Sequence, residues 1–414
     1  MKTVLMKTIL KKITTLMQIT RLLAVLASGL MMAGLTAAVG HAATDGKGQT
    51  VHFNAWGGSP VINDYIIWAG QRLKDDHGIT LVHVKLTDTA TAVSRILAEK
   101  TVGRDEDGSV DLIWVNGENF ATMKSSGLLR KEGWAFDLPS WRYTDAKALP
   151  ALVTDFGVPT DGLESPWGRA QLVFAYDTAV MAQPPSSAHA LKEWIISNPG
   201  RFSYPLPPDF TGTSFLKQIA LELAVDRTVF AKPVDQVNAD QALAPLWDWL
   251  DQVHPSLWQG GRNFPKNYTN LAQLLGDGEI NIAMAFNPAK FSNDIKTGAL
   301  PDSIRTYIHD SGTLANVHYL AIPFNASSPE AAKIVADFML SPEAQVRKAN
   351  SDIWGDPTVL SIPKLSPEDQ AAFAALPRGV ATLSEEELGK SLPEPHPSWV
   401  AVIEAEWAQR YLNQ

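Results

Sequence analysis

Between residues 51 and 127 the chain alternates strand and helix three times, and that alternation restricts the possible folds more than any other feature. Val51–Ala55 reads as a strand ending at Trp56-Gly57-Gly58. Ser59 then stands at a helix cap with Pro60 in the first helical position, where a missing N–H costs nothing. Ile62, Ile66, Ala69 and Leu73 recur at helical spacing, and Gly78 marks the stop. Ile79–Leu86 is a second strand, and Val93, Ile96 and Leu97 line a second helix. Val110–Val115, apolar apart from Asp111, is a third strand between Gly108-Ser109 and Asn116-Gly117. A third helix is predicted from about Glu118 to Ser126, with Gly127 after it. Successive βα units of this kind build a mainly parallel sheet covered by helices, and ligands bind at its strand ends.

The middle of the chain reads as a second α/β unit. Leu172–Ala175 and Ile280–Phe286 are strand-like, Phe202–Tyr204 is a short strand before a proline-rich turn, and Leu191–Ser197 and Ser214–Leu223 are helical. A run from Tyr319 to Pro323 precedes a helix from Pro329 to Leu340. Ser-Pro-Glu recurs at 328, 341 and 366 as a helix-start signal, not as a structural repeat. Pro393, Pro395 and Pro397 stiffen the approach to a last helix rich in Trp and Glu. The length fits about two domains.

Residues 1–42 are expected to be a removable export signal. Lys2, Lys7, Lys11, Lys12 and Arg21 precede or begin an apolar run to Val39, and Gly40-His41-Ala42 supplies the small residues of a cleavage site. The alternative is an uncleaved membrane anchor, for which the glycines and alanines of the run are weakly apolar. Removal takes five basic residues and no acid, so the net charge moves from −9 to −14. An acidic surface argues against nucleic acid or an anionic membrane as partner. The absence of cysteine excludes disulfides, thiolate metal sites, cysteine nucleophiles and lipid attachment through cysteine, so a free periplasmic location is expected.

Four segments carry a family resemblance. Asp111-Leu-Ile-Trp-Val-Asn116-Gly-Glu118-Asn119-Phe120 and Gly127-Leu-Leu resemble the strand–turn–helix of family 1 extracellular solute-binding proteins. Trp194–Phe215, with Asn198-Pro-Gly-Arg-Phe and Pro207-Pro-Asp-Phe-Thr-Gly-Thr-Ser214, resembles the second-lobe signature of their thiamine, polyamine and ferric-ion branches. Gly278–Phe286 is similar to their Gly-Glu-plus-strand element, and His318–Pro323 with Ala331–Gln345 to the crossover back to the first lobe. The resemblance spans nearly all of the chain after residue 42. It implies an α/β fold of the type II periplasmic binding protein kind: two lobes joined by crossing hinge strands, closing on a small solute. Lobe 1 would hold 43–165 and 318–345, and lobe 2 166–317 and 346–414. The implied partner is an inner-membrane ABC permease with its ATPase, served by a monomer without cofactor.

The site candidates follow from strand ends and helix starts. Trp56 and Gly57 offer a stacking face and close backbone approach, or only a tight turn. Asn116, Glu118 and Asn119 lie after the third strand, to bind a solute or to cap the helix. Thr211, Thr213 and Ser214 open a helix, as an anion site or as an ordinary N-terminus. Trp167 and Arg169 precede the expected first hinge strand, where Arg169 would clamp an oxyanion or form a surface ion pair. Asn287 ends the Ile280–Phe286 strand, and capping is its competing role. The histidines show no ligand spacing, so no metal is expected.

An enzyme reading also has residues behind it. Ser214-Phe-Leu-Lys217 matches Ser-x-x-Lys and Lys296-Thr-Gly298 matches Lys-Thr-Gly, two motifs of periplasmic penicillin-binding proteins and serine β-lactamases. The connecting Ser-x-Asn is missing and no strand pattern surrounds Lys296. A binding protein for a polar, thiamine- or polyamine-like solute is the favoured reading. A sugar or a small anion is the alternative, the anion through Thr211–Ser214 with Arg169.

Overall fold

The computed structural model describes residues 46–131 and 133–412; the expected export segment lies outside them. The three βα units form as the periodicity predicts: β1 (Thr50–Trp56), α1 (Pro60–His77), β2 (Thr80–Leu86), α2 (Thr89–Thr101), β3 (Leu112–Val115) and α3 (Gly117–Ser125). β1 lies between β2 and β3, parallel to both, with Asn54 opposite Val84 and Ile113. Gly78 takes the left-handed conformation that ends α1 (φ 66°). Ser59 stands at the cap position without a side-chain hydrogen bond to the helix. Asp111, the polar residue of an otherwise apolar run, accepts the His52 N–H at 2.8 Å and the Ser328 N–H at 2.9 Å.

A hairpin the periodicity does not predict follows, β4 (Thr154–Asp155) and β5 (Val158–Pro159). Next come β6 (Glu164–Gln171), β7 (Val173–Asp177), α4 (Ala188–Ser197), α5 (Phe210–Leu223), α6 (Ala239–Val253) and α7 (Tyr268–Gly276). β8 (Ile282–Ala285), α8 (Lys290–Lys296), β9 (Ile304–Tyr307) and β10 (Thr313–Ala321) complete the middle. The C-terminal elements are α9 (Pro329–Leu340), α10 (Pro342–Ala349), α11 (Pro367–Ala374), β11 (Ser391–Leu392) and α12 (Ser398–Tyr411). All three Ser-Pro-Glu signals open helices. Ser341 and Ser366 accept the N–H three residues on, and Ser328 does not. Phe202–Tyr204, expected as a strand, makes only a bridge to Ile282.

Besides the small β4-β5 hairpin, two larger sheets result among the described residues, each with its own core. The first has the order β11-β10-β3-β1-β2 with β6 on β10; the second is the antiparallel β8-β7-β9. β6 and β10 pair antiparallel from Gln171 opposite Ala315 to Glu164 opposite Ala321. Trp167 and Leu320 belong to the first core, whereas Leu172 and Leu314 belong to the second. These two strands are the crossing connections. The C-terminal passage comes later than expected. Trp354, Val359, Leu360 and Leu365 still pack in the first lobe, and Ala381, Leu392, Trp399 and Trp407 in the second. The crossing expected at 345 therefore falls between Leu365 and Ala381, because a helix pair and its following loop complete the first core before the chain leaves it. No helix among the described residues is long and apolar enough to cross a membrane.

Trp167 sits at 0 % exposure, its ring 5.0 Å from Trp114, 5.4 Å from Trp354 and 6.0 Å from Phe53. Expected as a solute contact, it is core packing beside the hinge. Gly168, next in β6, has no room for a side chain, since a Cβ there would meet Asp356, His318 and Lys348.

Candidate functional site between the two lobes

The lobes meet at the carboxyl ends of the parallel strands, where strand-end reasoning placed the site. Trp56 at the end of β1 lies 5.5 Å from Tyr268 of the second lobe, ring centre to ring centre. Gly57, just past the end of β1 and half-buried, donates its N–H to the Leu86 carbonyl of β2 at 2.9 Å. Asn116 holds the N-cap position of α3 without a side-chain cap bond. Its neighbour Glu118 is half-buried, and Asn119 donates to it at 3.3 Å. Burial pushes the Glu118 carboxyl up; Lys217 opposes this, and Glu404 and Glu394 reinforce it.

The hairpin tip completes the first-lobe wall. Phe156 (φ 45°) and Gly157 (φ 80°) both have positive φ, the geometry of a tight hairpin turn that ordinarily selects Asn-Gly. A Cβ on Gly117 would strike the Phe156 ring, so that glycine lets the hairpin close on α3. Beside it, Asp155 accepts the Gly117 N–H at 2.6 Å through one oxygen, while the other, buried, has no partner. Burial drives the Asp155 carboxyl well above its usual range, the Gly117 N–H opposes this, and Glu118 and Glu394 add to the rise.

The second lobe answers with α5 and the C-terminal segment. Lys217 donates to Glu394 at 2.6 Å, both side chains 2 % exposed, and Asn316 of β10 donates to the other Glu394 oxygen at 2.9 Å. The Lys217 ammonium is 4.9 Å from the centre of the Phe156 ring and 5.6 Å from that of Phe210. Thr213 donates to Glu404 at 2.7 Å. Burial raises the Glu404 carboxyl, against the pull of Thr213 and Lys217. The cation coupled to Glu118, Asp155 and Glu404 is in each case Lys217.

The expected anion clamp does not assemble. The first amides of α5, at Thr211 and Gly212, are bound at 3.0 and 3.2 Å by the side chain of Asp209, whose own carboxyl burial pushes up to about 6. A carboxylate therefore fills the helix N-terminus where an anionic solute was expected. Arg169 is turned to the surface, donating at 2.7 Å to the Thr358 carbonyl and at 2.7 Å to Glu385. The Ser214 hydroxyl is buried without a partner, so it shares no hydrogen bond with Lys217. Asn287 caps the following turn through Ala289 at 3.0 Å and reaches the Trp354 carbonyl of the first lobe at 3.5 Å. Among the described residues no group of three or more His, Asp or Glu is placed to hold a metal ion.

Sequence reasoning named Trp56, Glu118 and Thr213 among the residues now facing the interface. It missed Asp155, Phe156, Glu394 and Glu404, and it met Lys217 only as half of an enzyme motif. Phe156-Gly157 at a turn was the local signal for the hairpin, and Glu394 within Pro393–Pro397 was the signal for a rigid acidic presentation.

Just outside this cluster Glu164, the first residue of β6, is fully buried with neither carboxylate oxygen bonded. Burial and the nearby Asp155 raise its carboxyl well above the ordinary 4.5. With the folded value raised, the folded state holds a proton that the unfolded chain has lost. Stability therefore falls as pH rises from about 4.5, by up to about 1.4 kcal/mol per pH unit until the folded group ionises. Glu164→Gln should flatten that decline. Urea midpoints between pH 5 and 8 that fall as steeply in the variant as in the parent would refute this.

The sequence profile of bacterial extracellular solute-binding proteins matches residues 68–375. Protein YnjB of Escherichia coli (strain K12) is 45 % identical over 367 residues, 89 % of this chain and 92 % of that protein. The Tp0655 (TpPotD) lipoprotein of Treponema pallidum superposes with a TM-score of 0.62 at 15 % identity, over 88 % of this chain and 98 % of its own. The periplasmic binding protein AfuA of Actinobacillus pleuropneumoniae gives 0.61 at 13 %, over 89 % and 100 %. The chain belongs to the bacterial extracellular solute-binding protein family, with the two-lobed type II binding-protein fold. Proteins of this family are the solute-binding components of ABC importers.

Proposed function

We propose that this protein captures an organic cation between its lobes in the periplasm and delivers it to an inner-membrane ABC permease. One observation carries the choice of cation: Lys217, paired with Glu394 at 2.6 Å, is the ammonium whose charge also acts on Glu118, Asp155 and Glu404, so carboxylates outnumber it at the interlobe surface. Glu118, Asp155 and Glu404, driven toward protonation chiefly by burial, regain their charge when a cation enters. Trp56, Tyr268, Phe156 and Phe210 supply ring faces, which attract cations through the ring quadrupole. The fold does not choose the cargo, since AfuA of the same architecture is described with fructose-6-phosphate bound. The amides of α5 and Arg169, both engaged, favour a cation over an anion.

Export rests on residues 1–42, and the absence of cysteine favours a free monomer over a lipid-anchored one. Among the described residues the moving bodies are taken as 46–165 with 318 to about 376, and 166–317 with the C-terminal elements to 412, closing about β6 and β10 as the solute binds. Binding without catalysis is the role favoured by Ser214, whose hydroxyl has no base, and by Lys217, committed to Glu394.

The test is calorimetric titration with thiamine, putrescine and spermidine, alongside glucose and sulfate as neutral and anionic controls. A cation should bind, and Glu118→Gln and Glu404→Gln should each weaken it about tenfold or more, the loss of about 1.4 kcal/mol. Preference for sulfate or glucose, or affinities indifferent to both substitutions, would overturn the assignment.

A further inference from the structure

The cleft already holds an ammonium ion, and it belongs to the protein. Lys217 extends from α5 of the second lobe and ends against Glu394 at 2.6 Å, with the Phe156 and Phe210 rings at 4.9 and 5.6 Å. Carboxylate on one side and ring faces on others are the surroundings that recognise organic ammonium groups. The arrangement spans the lobes, because Phe156 rides on the first-lobe hairpin while Lys217, Phe210 and Glu394 belong to the second. The Phe156 ring and the Lys217 ammonium therefore meet across the two lobes.

Burying such a pair at 2 % exposure has a desolvation cost that its mutual attraction barely repays, so packing alone gives no reason for a lysine here. A methionine would fill the same channel between Phe156 and Phe210. The positive charge has a use where carboxylates outnumber it.

We propose that Lys217 is a tethered stand-in for the solute: it occupies an ammonium seat between the lobes, holds the lobes together there, and is displaced by the ammonium of an incoming cation. The inference rests on the cation reading above and goes beyond it, since it makes Lys217 a competitor of the solute and not one of its contacts. A competitor has the opposite mutational sign to a contact. Removing it frees the seat and leaves Glu394 uncompensated, so cation affinity rises; removing a contact lowers affinity.

Lys217→Ala, which vacates the seat, and Lys217→Met, which keeps the stem and deletes the charge, are each titrated with putrescine, spermidine and thiamine at low ionic strength. Small-angle scattering of the solute-free proteins is recorded in parallel. The expected result is that a cation bound by the parent binds the variants at least about tenfold more tightly. The solute-free variants should also scatter as more open particles, which the cation closes. Should either variant bind that cation equally or less tightly, the stand-in role is overturned while the cation reading survives. Should neither parent nor variants bind any of the three, the cation reading fails and the inference with it. Lys217→Met preserves packing volume, so the comparison holds if the alanine variant does not fold.

Discussion

Replacing Asp356 by alanine should destabilise the protein by about 3–5 kcal/mol, the usual loss when one member of a buried charge network is removed. Asp356 is 2 % exposed and takes the Lys348 ammonium at 2.5 Å and the His318 Nε2 at 3.1 Å, with Lys348 itself at 0 % exposure. Lys348 also donates to the Trp167 carbonyl and lies 5.4 Å from the Trp167 and Trp354 rings. Without the carboxylate, a buried ammonium keeps its desolvation penalty and loses its counter-charge. Burial raises the Asp356 carboxyl, but His318 and Lys348 overcome that and hold it below the ordinary 3.8. A depressed carboxylate stabilises the fold above its unfolded value, and that contribution disappears as pH falls through the folded value. His318 adds a second acid sensitivity. Burial lowers its pKa, so below about 6.5 the unfolded chain takes up a proton that the folded state refuses. Urea unfolding at pH 7 measures the effect, and a loss under about 1 kcal/mol for Asp356→Ala would show that the network is relaxed by water rather than sealed.

Trp167→Ala should cost about 3–5 kcal/mol, the range for truncating a large core aromatic. The indole touches rings from β1, α1, β3 and the segment after α10, through Phe53, Tyr65, Trp114 and Trp354. Its removal opens a cavity that these rigid neighbours cannot all collapse into. Trp167 stands within β6 but points into the first core, away from the residues at the strand ends. Stability and solute affinity should separate: unfolding shifts strongly, whereas the folded variant keeps the cation contacts of Glu118 and Glu404. A variant of unchanged stability that no longer bound solute would instead return Trp167 to the binding surface.

The architecture was legible in the sequence wherever its signals are local. Cap, N1 proline and left-handed glycine define α1, and β1, β2 and β3 follow from apolar runs with turn residues at each end. The family motifs, spaced over most of the chain, then imply two lobes. The same logic placed Trp56 and Glu118 beside the second lobe, because strand ends of a parallel sheet point toward it and these residues stand at two of them. Arg169 and Thr211–Ser214 show where that logic stops. Each has the right chemistry for an oxyanion, but a partner remote in sequence or side-chain competition engages it first: Glu385 for the arginine and Asp209 for the helix amides. Nothing within a few residues of Arg169 announces Glu385, 216 positions away.

The sequence by itself determined the βα order of the first lobe, because that depends on periods of two and 3.6 residues and on caps read within one turn, while the spaced motifs carried the family resemblance. Only the tertiary structure decided what the cleft carries. Asp155, Lys217, Glu394 and Glu404 lie on four separate segments that β6, β10 and the late C-terminal crossing bring together. Their charges interact through space rather than along the chain, so the local excess of carboxylate exists only once the lobes are folded against one another.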